Sequence, residues 1–293
     1  MNLPARPGSG SGHGPIPLSS LEYQDERTVL PFSGLPAAAL RGRLFYSFPH
    51  DTRRRIFKLL APRRYSALQR LRRGESAGYS LAPYDEHRCI FVHVPKAAGV
   101  SVSRGLFGGL GGGHAHIGLY QIVYSEHEFH DYFKFAFVRN PWDRLLSAYE
   151  FLRAGGMDET DRRWAQQHVQ QFHDFDDFVR RWVSEENVLS YVHFVPQYRF
   201  LCAPFSQRIL IDWIGRFEQL ENDFDLVRRR LGLTSLQLPH HNEGPRARER
   251  RDFREHYTPA ARRIVERVYR TDIELLGYTF DENSERTVGS SRF

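Results

Sequence analysis

The sequence predicts an α/β fold in which helices cover both faces of a central parallel sheet. Three short, mostly apolar runs, at residues 89–94, 133–138 and 209–217, have the length and composition of buried parallel strands. Helical patterns lie between and after these runs, and such an alternation is typical of parallel sheets. Because ligands of these sheets bind at the carboxyl ends of the strands, the residues that follow each run are the first candidates for a functional site.

The helices are placed by apolar spacing and by residues that favour helix ends. Pro141 suits the first position of a helix, with Asn140 as its N-cap, and Gly232 ends the helix that precedes it. The predicted helices cover residues 101–107, 141–153, 174–185, 218–231 and 259–276.

Composition divides the 293 residues into four parts. Residues 1–20 are rich in Gly, Pro and Ser, which predicts a disordered tail. Residues 21–84 mix aromatic side chains with arginine runs, and we expect an extension with short helices that packs on or near the main domain. The main α/β domain is predicted over residues 85–282, followed by a C-terminal tail over residues 283–293.

The chain is basic, with 41 Lys and Arg residues against 35 Asp and Glu residues, and a basic surface favours anionic partners. Only three of the basic residues are lysines, namely Lys58, Lys96 and Lys134. Two cysteines without a CxxC pair argue against a disulfide framework or a cysteine zinc site. Since neither a signal peptide nor an apolar span of about 18 residues is present, we expect a soluble protein of a reducing cytoplasm without a transmembrane segment.

The first candidate anion site is the loop at residues 95–102, which follows the first strand and runs into a helix. Consecutive backbone N–H groups in a tight loop before a helix N-terminus can cradle an anion. Lys96 adds a positive charge, Ser101 adds a hydroxyl, and small residues between them let oxygens come close. The nucleoside triphosphatase pattern GxxxxGK[ST] is absent. The alternative is an ordinary strand-to-helix turn with a solvated lysine.

The second candidate anion site is the segment FAFVRNPWDRLLSAYEF, residues 135–151. Arg139 follows the second strand, and Ser147 lies on about the same helix face as Asp143. An arginine fork with a hydroxyl suits a phosphate monoester. The alternative is a capped helix in which Arg139 forms a structural ion pair. Two such sites on neighbouring strand ends indicate a ligand with two separate phosphate-like groups.

These motifs resemble those of the sulfotransferases that use 3′-phosphoadenylyl sulfate (PAPS). The chain is most similar to the group that sulfates carbohydrate hydroxyls, the sulfotransferase family 2 type with many bacterial members. PKAAGVSV resembles the family's 5′-phosphosulfate loop, and the segment around Arg139 resembles its 3′-phosphate motif. The resemblance covers about residues 88–280 and implies a P-loop-NTPase-like three-layer fold. It continues through HFVPQYRFL, IDWIGRFEQLENDF and HYTPAARRIVERVYRTDIELLGYTF.

The resemblance also implies roles for individual residues. Lys96 would hold the 5′-phosphosulfate and stabilise the leaving group, while Arg139 and Ser147 would bind the 3′-phosphate. Ala97 and Val100 stand where the family commonly has threonines, which removes a side-chain contact at position 100 and leaves the backbone cradle intact. That cradle would consist of the backbone amides of Ala97, Ala98, Gly99, Val100 and Ser101.

Between the two motifs, residues 108–120 read GGLGGGHAHIGLY, in which no register fits GxGxxG. Sulfuryl transfer to an alcohol needs a base, and histidine titrates in a suitable range. The resemblance implies a histidine base between the motifs, near a helix start. His114 matches this position best and His116 is second. The alternatives are a solvated loop histidine or a zinc site built on both, for which spacing indicates no third ligand.

The implied activity is in-line transfer of a sulfuryl group from PAPS to a hydroxyl, with a carbohydrate as the expected acceptor, no metal and a bacterial cytoplasmic location. A nucleotide kinase or triphosphatase would want Ser or Thr after Lys96 and an acidic magnesium ligand on the neighbouring strand, where Arg139 stands instead. A non-catalytic nucleotide or nucleic-acid binder is the third alternative. No recognised nucleic-acid module is present, so no nucleic-acid partner is expected.

Overall fold

A computed structural model of the chain describes residues 38–75, 78–234, 236–238 and 252–281. The predicted tails at residues 1–20 and 283–293 lie outside the described residues. So does the first part of the predicted extension, before residue 38.

A three-stranded parallel sheet lies at the centre of the fold. Its strands are β1 (Cys89–Val92), β2 (Phe133–Val138) and β3 (Trp213–Arg216), and their spatial order is β1-β2-β3. β2 therefore pairs with both other strands. Nearly every strand residue is buried, which explains why the strands read as continuous apolar runs instead of alternating patterns. The predicted parallel α/β fold is confirmed, while the P-loop-NTPase-like arrangement stays a prediction.

The third strand starts later than predicted, at Trp213 instead of residue 209. Ile209 forms an isolated antiparallel bridge with Cys202 instead. Asp212 donates its N–H to the Lys134 carbonyl oxygen, and its carboxylate accepts the Lys134 N–H, both at 2.8 Å. The side chain of Asp212 thus takes the place of a backbone acceptor, and regular pairing begins one residue later.

Helices surround the sheet. Fourteen α-helices lie in the described ranges: α1 (Ala38–Ser47), α2 (His50–Leu60), α3 (Pro62–Arg72), α4 (Ala82–Glu86), α5 (Gly99–Phe107), α6 (Ile117–Val123), α7 (Glu126–Asp131), α8 (Pro141–Arg153), α9 (Glu159–His168), α10 (Phe175–Trp182), α11 (Tyr198–Leu201), α12 (Leu220–Arg230), α13 (Pro259–Val268) and α14 (Arg270–Leu276).

Four of the five predicted helices correspond to α5, α8, α10 and α12. The Asn140 side chain accepts the Trp142 N–H, so α8 begins with the predicted cap. The predicted helix over residues 259–276 is two helices, because the backbone of Tyr269 leaves the helical region (φ −104°, ψ 22°). The hydroxyl of Tyr269 donates to the Phe194 carbonyl oxygen at 2.7 Å, which fixes this break in the interior.

The described part of the N-terminal extension shares a core with the sheet. α2 and α3 pack on α6, and Phe57, Leu68 and Leu71 belong to the same buried cluster as the residues of β1 and β2. Arg72 ties this part to the domain through ion pairs with Asp85 (2.8 Å) and Glu128 (2.6 Å). The predicted boundaries of the four parts stay predictions.

A second core lies between α8, α9, α10 and α13, and it contains most of the buried side chains of α8. Trp142 of α8 is buried there. The aromatic residues of segment 172–182 pack at helical spacing, with Phe175, Phe178 and Trp182 all buried. The second core thus anchors α8, whose N-terminus follows directly after the end of β2.

Candidate functional site

The loop after β1 has an unusual backbone. Lys96 and Ala98 both adopt left-handed φ angles, of 65° and 63°, which cost a residue with a Cβ about 1–2 kcal/mol each. Left-handed residues that alternate with ordinary ones turn successive N–H groups toward the same side and form an anion-binding concavity. Strain of this kind persists where the surrounding structure enforces it, and it is concentrated at functional sites.

The loop leads directly into the N-terminus of α5. Ala98 is the N-cap residue and offers no side-chain acceptor to the first turn, so its N–H groups remain available to an anion. Ser101 lies in that turn and is buried, while Val100 beside it is half-buried. Gly99 packs against the His93 ring so closely that a Cβ would lie 1.7 Å from Cδ2. Glycine is thus the residue that lets the loop approach β1.

Arg139, at the carboxyl end of β2, joins the two predicted anion sites. Its Nε and Nη2 donate to the Asp143 carboxylate at 2.7 and 2.8 Å, so the ion pair of the alternative interpretation is present. Its Nη1 also donates to the Lys96 carbonyl oxygen at 3.2 Å. The guanidinium lies over the Phe217 ring, 4.0 Å from its centroid. Arg139 is therefore bonded directly to the loop that contains Lys96.

α8 supports the same region with two further side chains. Ser147, half-buried, follows Asp143 by four positions and so shares its helix face. Arg144 is 2% exposed, and its Nε donates to the Pro95 carbonyl oxygen at 2.8 Å. Two arginines thus hold the loop after β1, because Arg144 of α8 binds this carbonyl and Arg139, just before α8, binds the next one along the chain.

Gln197 holds the backbone of Arg139 in place. Its Oε1 accepts the Arg139 N–H at 3.0 Å, and its Nε2 donates to the Arg139 carbonyl oxygen at 2.8 Å. Asp272 of α14 in turn accepts the N–H groups of Gln197 and Tyr198 at 2.7 and 2.8 Å. Burial raises the pKa of Asp272 to about 6. Gln197 therefore fixes the backbone of the second candidate anion site at Arg139. The sequence did not indicate this contact.

The Lys96 side chain lies in an unusual electrostatic environment. Its Nζ is 3.8 Å from the centroid of the Phe151 ring. Burial, and then the positive charge of Arg139, lower the pKa of Lys96 to about 7, although Asp161 acts in the opposite direction. An anion bound in this loop would remove that penalty, because it supplies the missing counter-charge.

His114 is half-buried and lies against two buried histidines, His93 and His193. Its ring centroid lies 4.3 Å from that of His93 and 5.7 Å from that of His193. Burial lowers the pKa of His114 well below its usual range, with the neighbouring histidines and Lys96 as further causes. Burial alone lowers the pKa of His116 to about 4. The structure thus places His114, the better match, near enough to Lys96 for the lysine charge to lower its pKa.

Two residues of this region escaped the sequence analysis. Nε2 of His193 lies 3.3 Å from Oδ1 of Asp161, which also accepts the Tyr191 hydroxyl at 2.6 Å. Burial opposes ionisation of Asp161, yet these hydrogen bonds lower its pKa to about 2. His193 begins the segment HFVPQYRFL, so its place in a motif was a usable signal. Nothing in the sequence around Asp161 distinguishes it from other helix-start carboxylates.

In the part of the chain that the structure describes, no group of three or more His, Cys, Asp or Glu side chains has a geometry suited to a metal ion. In the same residues no helix has the length and apolar character needed to cross a membrane.

Comparison with known proteins gives a family match and several relatives. The model of the sulfotransferase family matches residues 118–279. Carbohydrate sulfotransferase 14 of Danio rerio is 29% identical over 50% of this chain and 47% of its own length. Carbohydrate sulfotransferase 10 of Homo sapiens is 27% identical over the same shares, and carbohydrate sulfotransferase 14 of Homo sapiens is 33% identical over 33% of this chain and 28% of its own length. No solved structure matches.

The matches cover only part of this chain and only part of each relative. The chain spans about half the length, or less, of the curated relatives it matches. The family match includes Arg139, Ser147 and His193, whereas Lys96 and His114 precede it. The relatives are vertebrate proteins, so the comparisons give no support to the expected bacterial cytoplasmic location.

Proposed function

The chain belongs to the sulfotransferase family, and from that premise we propose that it transfers a sulfuryl group from PAPS to a hydroxyl of a carbohydrate. The observation that carries this proposal is the 3.2 Å hydrogen bond from Arg139 to the Lys96 carbonyl oxygen. It joins two anion-binding elements at the carboxyl ends of neighbouring parallel strands. PAPS has anionic groups at the 5′ and 3′ positions of one nucleoside, which suits two adjoining sites.

The donor would be held mainly by main-chain groups and two cations. The N–H groups between Ala97 and Ser101 and the Lys96 ammonium would bind the 5′-phosphosulfate. Arg139 and Ser147 would bind the 3′-phosphate. Arg139 uses Nε and one N–H on each terminal nitrogen in the bonds described above, so each terminal nitrogen retains an N–H for a phosphate oxygen.

The reaction needs one proton acceptor and one charge stabiliser. The acceptor oxygen attacks sulfur, and the bond between sulfur and the bridging phosphate oxygen breaks in line with that attack. His114, neutral because its pKa is lowered, takes the hydroxyl proton. Lys96 stabilises the negative charge that grows on the bridging oxygen. A carbohydrate acceptor is supported by the printed names of the relatives.

The proposal is tested by calorimetry with adenosine 3′,5′-bisphosphate (PAP), using ATP and ADP for comparison. We expect tight binding of PAP, weak binding of ATP, and a 10- to 100-fold loss of PAP affinity in Arg139→Ala, since a hydrogen bond to a charged group contributes about 1.5–3 kcal/mol. Arg162→Ala is the matched control, because it removes an exposed arginine that also pairs with a carboxylate. A folded wild-type protein that fails to bind PAP would refute the proposal.

PAP binding is also expected to take up protons above neutral pH. With its pKa lowered to about 7, Lys96 is largely neutral at pH 8 in the free protein, and a bound anion raises that pKa. PAP affinity therefore falls as pH rises from 7 to 9. Calorimetry at pH 8 in two buffers with different ionisation enthalpies measures the uptake directly. Equal apparent enthalpies in both buffers, or uptake that persists in Lys96→Ala, would contradict this assignment.

A further inference from the structure

We propose that Asp161 and His193 form a proton-holding pair, in which His193 receives through His114 the proton released during sulfuryl transfer. The inference rests on the proposed function and adds two positioning residues to it. The geometry of His93, His114 and His193 supports it.

The first observation is the state of the His193 ring. His193 is 8% exposed, and its Nε2 faces Oδ1 of Asp161 at 3.3 Å. An ionised carboxylate can only accept, so Nε2 is the nitrogen that carries hydrogen. Nδ1 is then the basic nitrogen, and it is buried without a hydrogen-bond partner in the described part of the chain. A buried lone pair without a donor is costly and is satisfied when a proton arrives.

The second observation is that Asp161 is rigidly held in its ionised form. Its Oδ1 accepts the Tyr191 hydroxyl at 2.6 Å, and its Oδ2 accepts the Met157 N–H at 2.8 Å. Its own backbone N–H donates to the Asp158 carboxylate at the start of α9. The carboxylate therefore has a fixed orientation toward His193 and lies in the interior, where its charge is weakly screened.

The third observation is the distribution of charge around the three rings. Burial is the main cause that lowers the pKa of His193, and the charges of Lys96 and Arg144 lower it further, whereas the hydrogen bond and charge of Asp161 raise it. Burial lowers the pKa of His93 to about 3, and His114 is likewise without a carboxylate contact among the described interactions. A proton on His114 is thus opposed by nearby cations. Transfer toward the carboxylate places that proton where a negative charge compensates it.

The proton balance is complete. When the acceptor oxygen forms its bond to sulfur, its O–H bond breaks and the proton moves to His114. The rings of His114 and His193 lie 5.7 Å apart between centroids and share no hydrogen bond, so the proton passes from His114 to Nδ1 of His193 through one bridging water molecule. The departing bisphosphate takes the electron pair of the broken sulfur–oxygen bond. His193 returns the proton to solvent after the products leave, which regenerates both histidines.

The test compares Asp161→Asn with Tyr191→Phe. The first removes the charge, whereas the second removes one donor to the same oxygen and keeps the charge. The assay is slow hydrolysis of PAPS, with water as acceptor, measured as PAP formed across a pH series. In parallel, NMR follows the titration of the His193 ring with PAP bound, assigned with His193→Asn. Thermal unfolding and PAP binding of each variant verify that it is folded.

For Asp161→Asn we expect a fall in turnover of about 10- to 100-fold, within the range for acid–base contributions. PAP affinity should fall by no more than a few-fold, because the Asp161 charge also raises the pKa of Lys96. Loss of the carboxylate lowers the pKa of His193, so the acidic limb of the rate profile moves to lower pH. Tyr191→Phe should keep turnover within a few-fold and move that limb slightly upward.

Two outcomes would overturn the inference. One is an unchanged His193 titration in Asp161→Asn. The other is a fall in turnover without any movement of the acidic limb, which is what a purely structural role produces. Failure of the proposed function is distinguishable, because it appears as absent PAP binding in the wild-type protein.

Discussion

Replacement of Lys96 by alanine is expected to lower the turnover of PAPS by about 100- to 1,000-fold, the loss typical of removing one preorganised donor to a developing negative charge. The reason lies in where the ammonium is held. Phe151 supports it from one side, and Arg139 contacts the carbonyl of the same residue. Because Lys96 is largely buried, little solvent screens its charge. Its interaction with the bridging oxygen therefore strengthens as that oxygen becomes negative.

The chain offers a matched control for this experiment. Lys58 is exposed on α2, where its Nζ lies 5.7 Å from the Tyr65 ring centroid, so Lys58→Ala removes the same charge and a similar cation–ring contact outside the site. Turnover is measured as PAP released from PAPS, first with water and then with candidate sugars. If Lys96→Ala kept more than about a tenth of wild-type turnover, the leaving-group role would be refuted, because that loss is well below the range for such donors.

The second large effect is expected for His114→Asn. Loss of a general base typically costs about 100- to 10,000-fold in rate, while asparagine preserves most of the side-chain volume and polarity. PAP affinity should change little, because the proposed function assigns His114 to the acceptor hydroxyl and not to the donor. The same PAP-release assay applies, with PAP calorimetry on each variant to separate binding from chemistry.

Two further histidine variants make this result decisive. His127→Asn removes an exposed histidine of α7 and serves as the neutral control. His116→Asn tests the second candidate base, which lies at the N-cap of α6 and is 2% exposed. A large loss in His116→Asn with normal turnover in His114→Asn would assign the base to His116 instead.

The sheet could be predicted from sequence because its strands are buried on both sides. Each strand therefore appears as an uninterrupted apolar run, as in residues 133–138. The cap at Asn140 and the proline after it likewise predicted where α8 begins. Both signals are local, so one stretch of sequence was enough to recognise them.

Among the helices that the sequence analysis missed, α6, α7 and α9 were missed for different reasons. Every residue of α6 is buried, so it has no polar face and no helical periodicity. α9 buries only Asp161 and Ala165, so it has almost no apolar face. α7 is six residues long, although its capping box at Ser125 and Glu128 was a usable signal.

The candidate site was only partly predictable, because its supporting contacts are long-range. The loop after β1 and Arg139 lie at the carboxyl ends of strands, where ligands of open parallel sheets bind. Gln197, by contrast, reaches Arg139 across 58 positions, and Asp161 meets His193 across 32. A single sequence without homologues contains no signal for such pairings, which depend on how α9 and α14 pack.

The link from Arg139 through Gln197 to Asp272 has a consequence for how the protein is made. During synthesis, β1, the loop after it and β2 leave the ribosome long before α14. Domains generally fold as units, so the domain needs α14 to complete its fold. Until Asp272 is available, the N–H groups of Gln197 and Tyr198 lack the carboxylate that accepts them, and the clamp on Arg139 lacks this support. A nascent or C-terminally truncated chain would therefore contain the side chains of the proposed donor site before that site is assembled. Under this proposal, the synthesis of α14 determines when the site becomes complete.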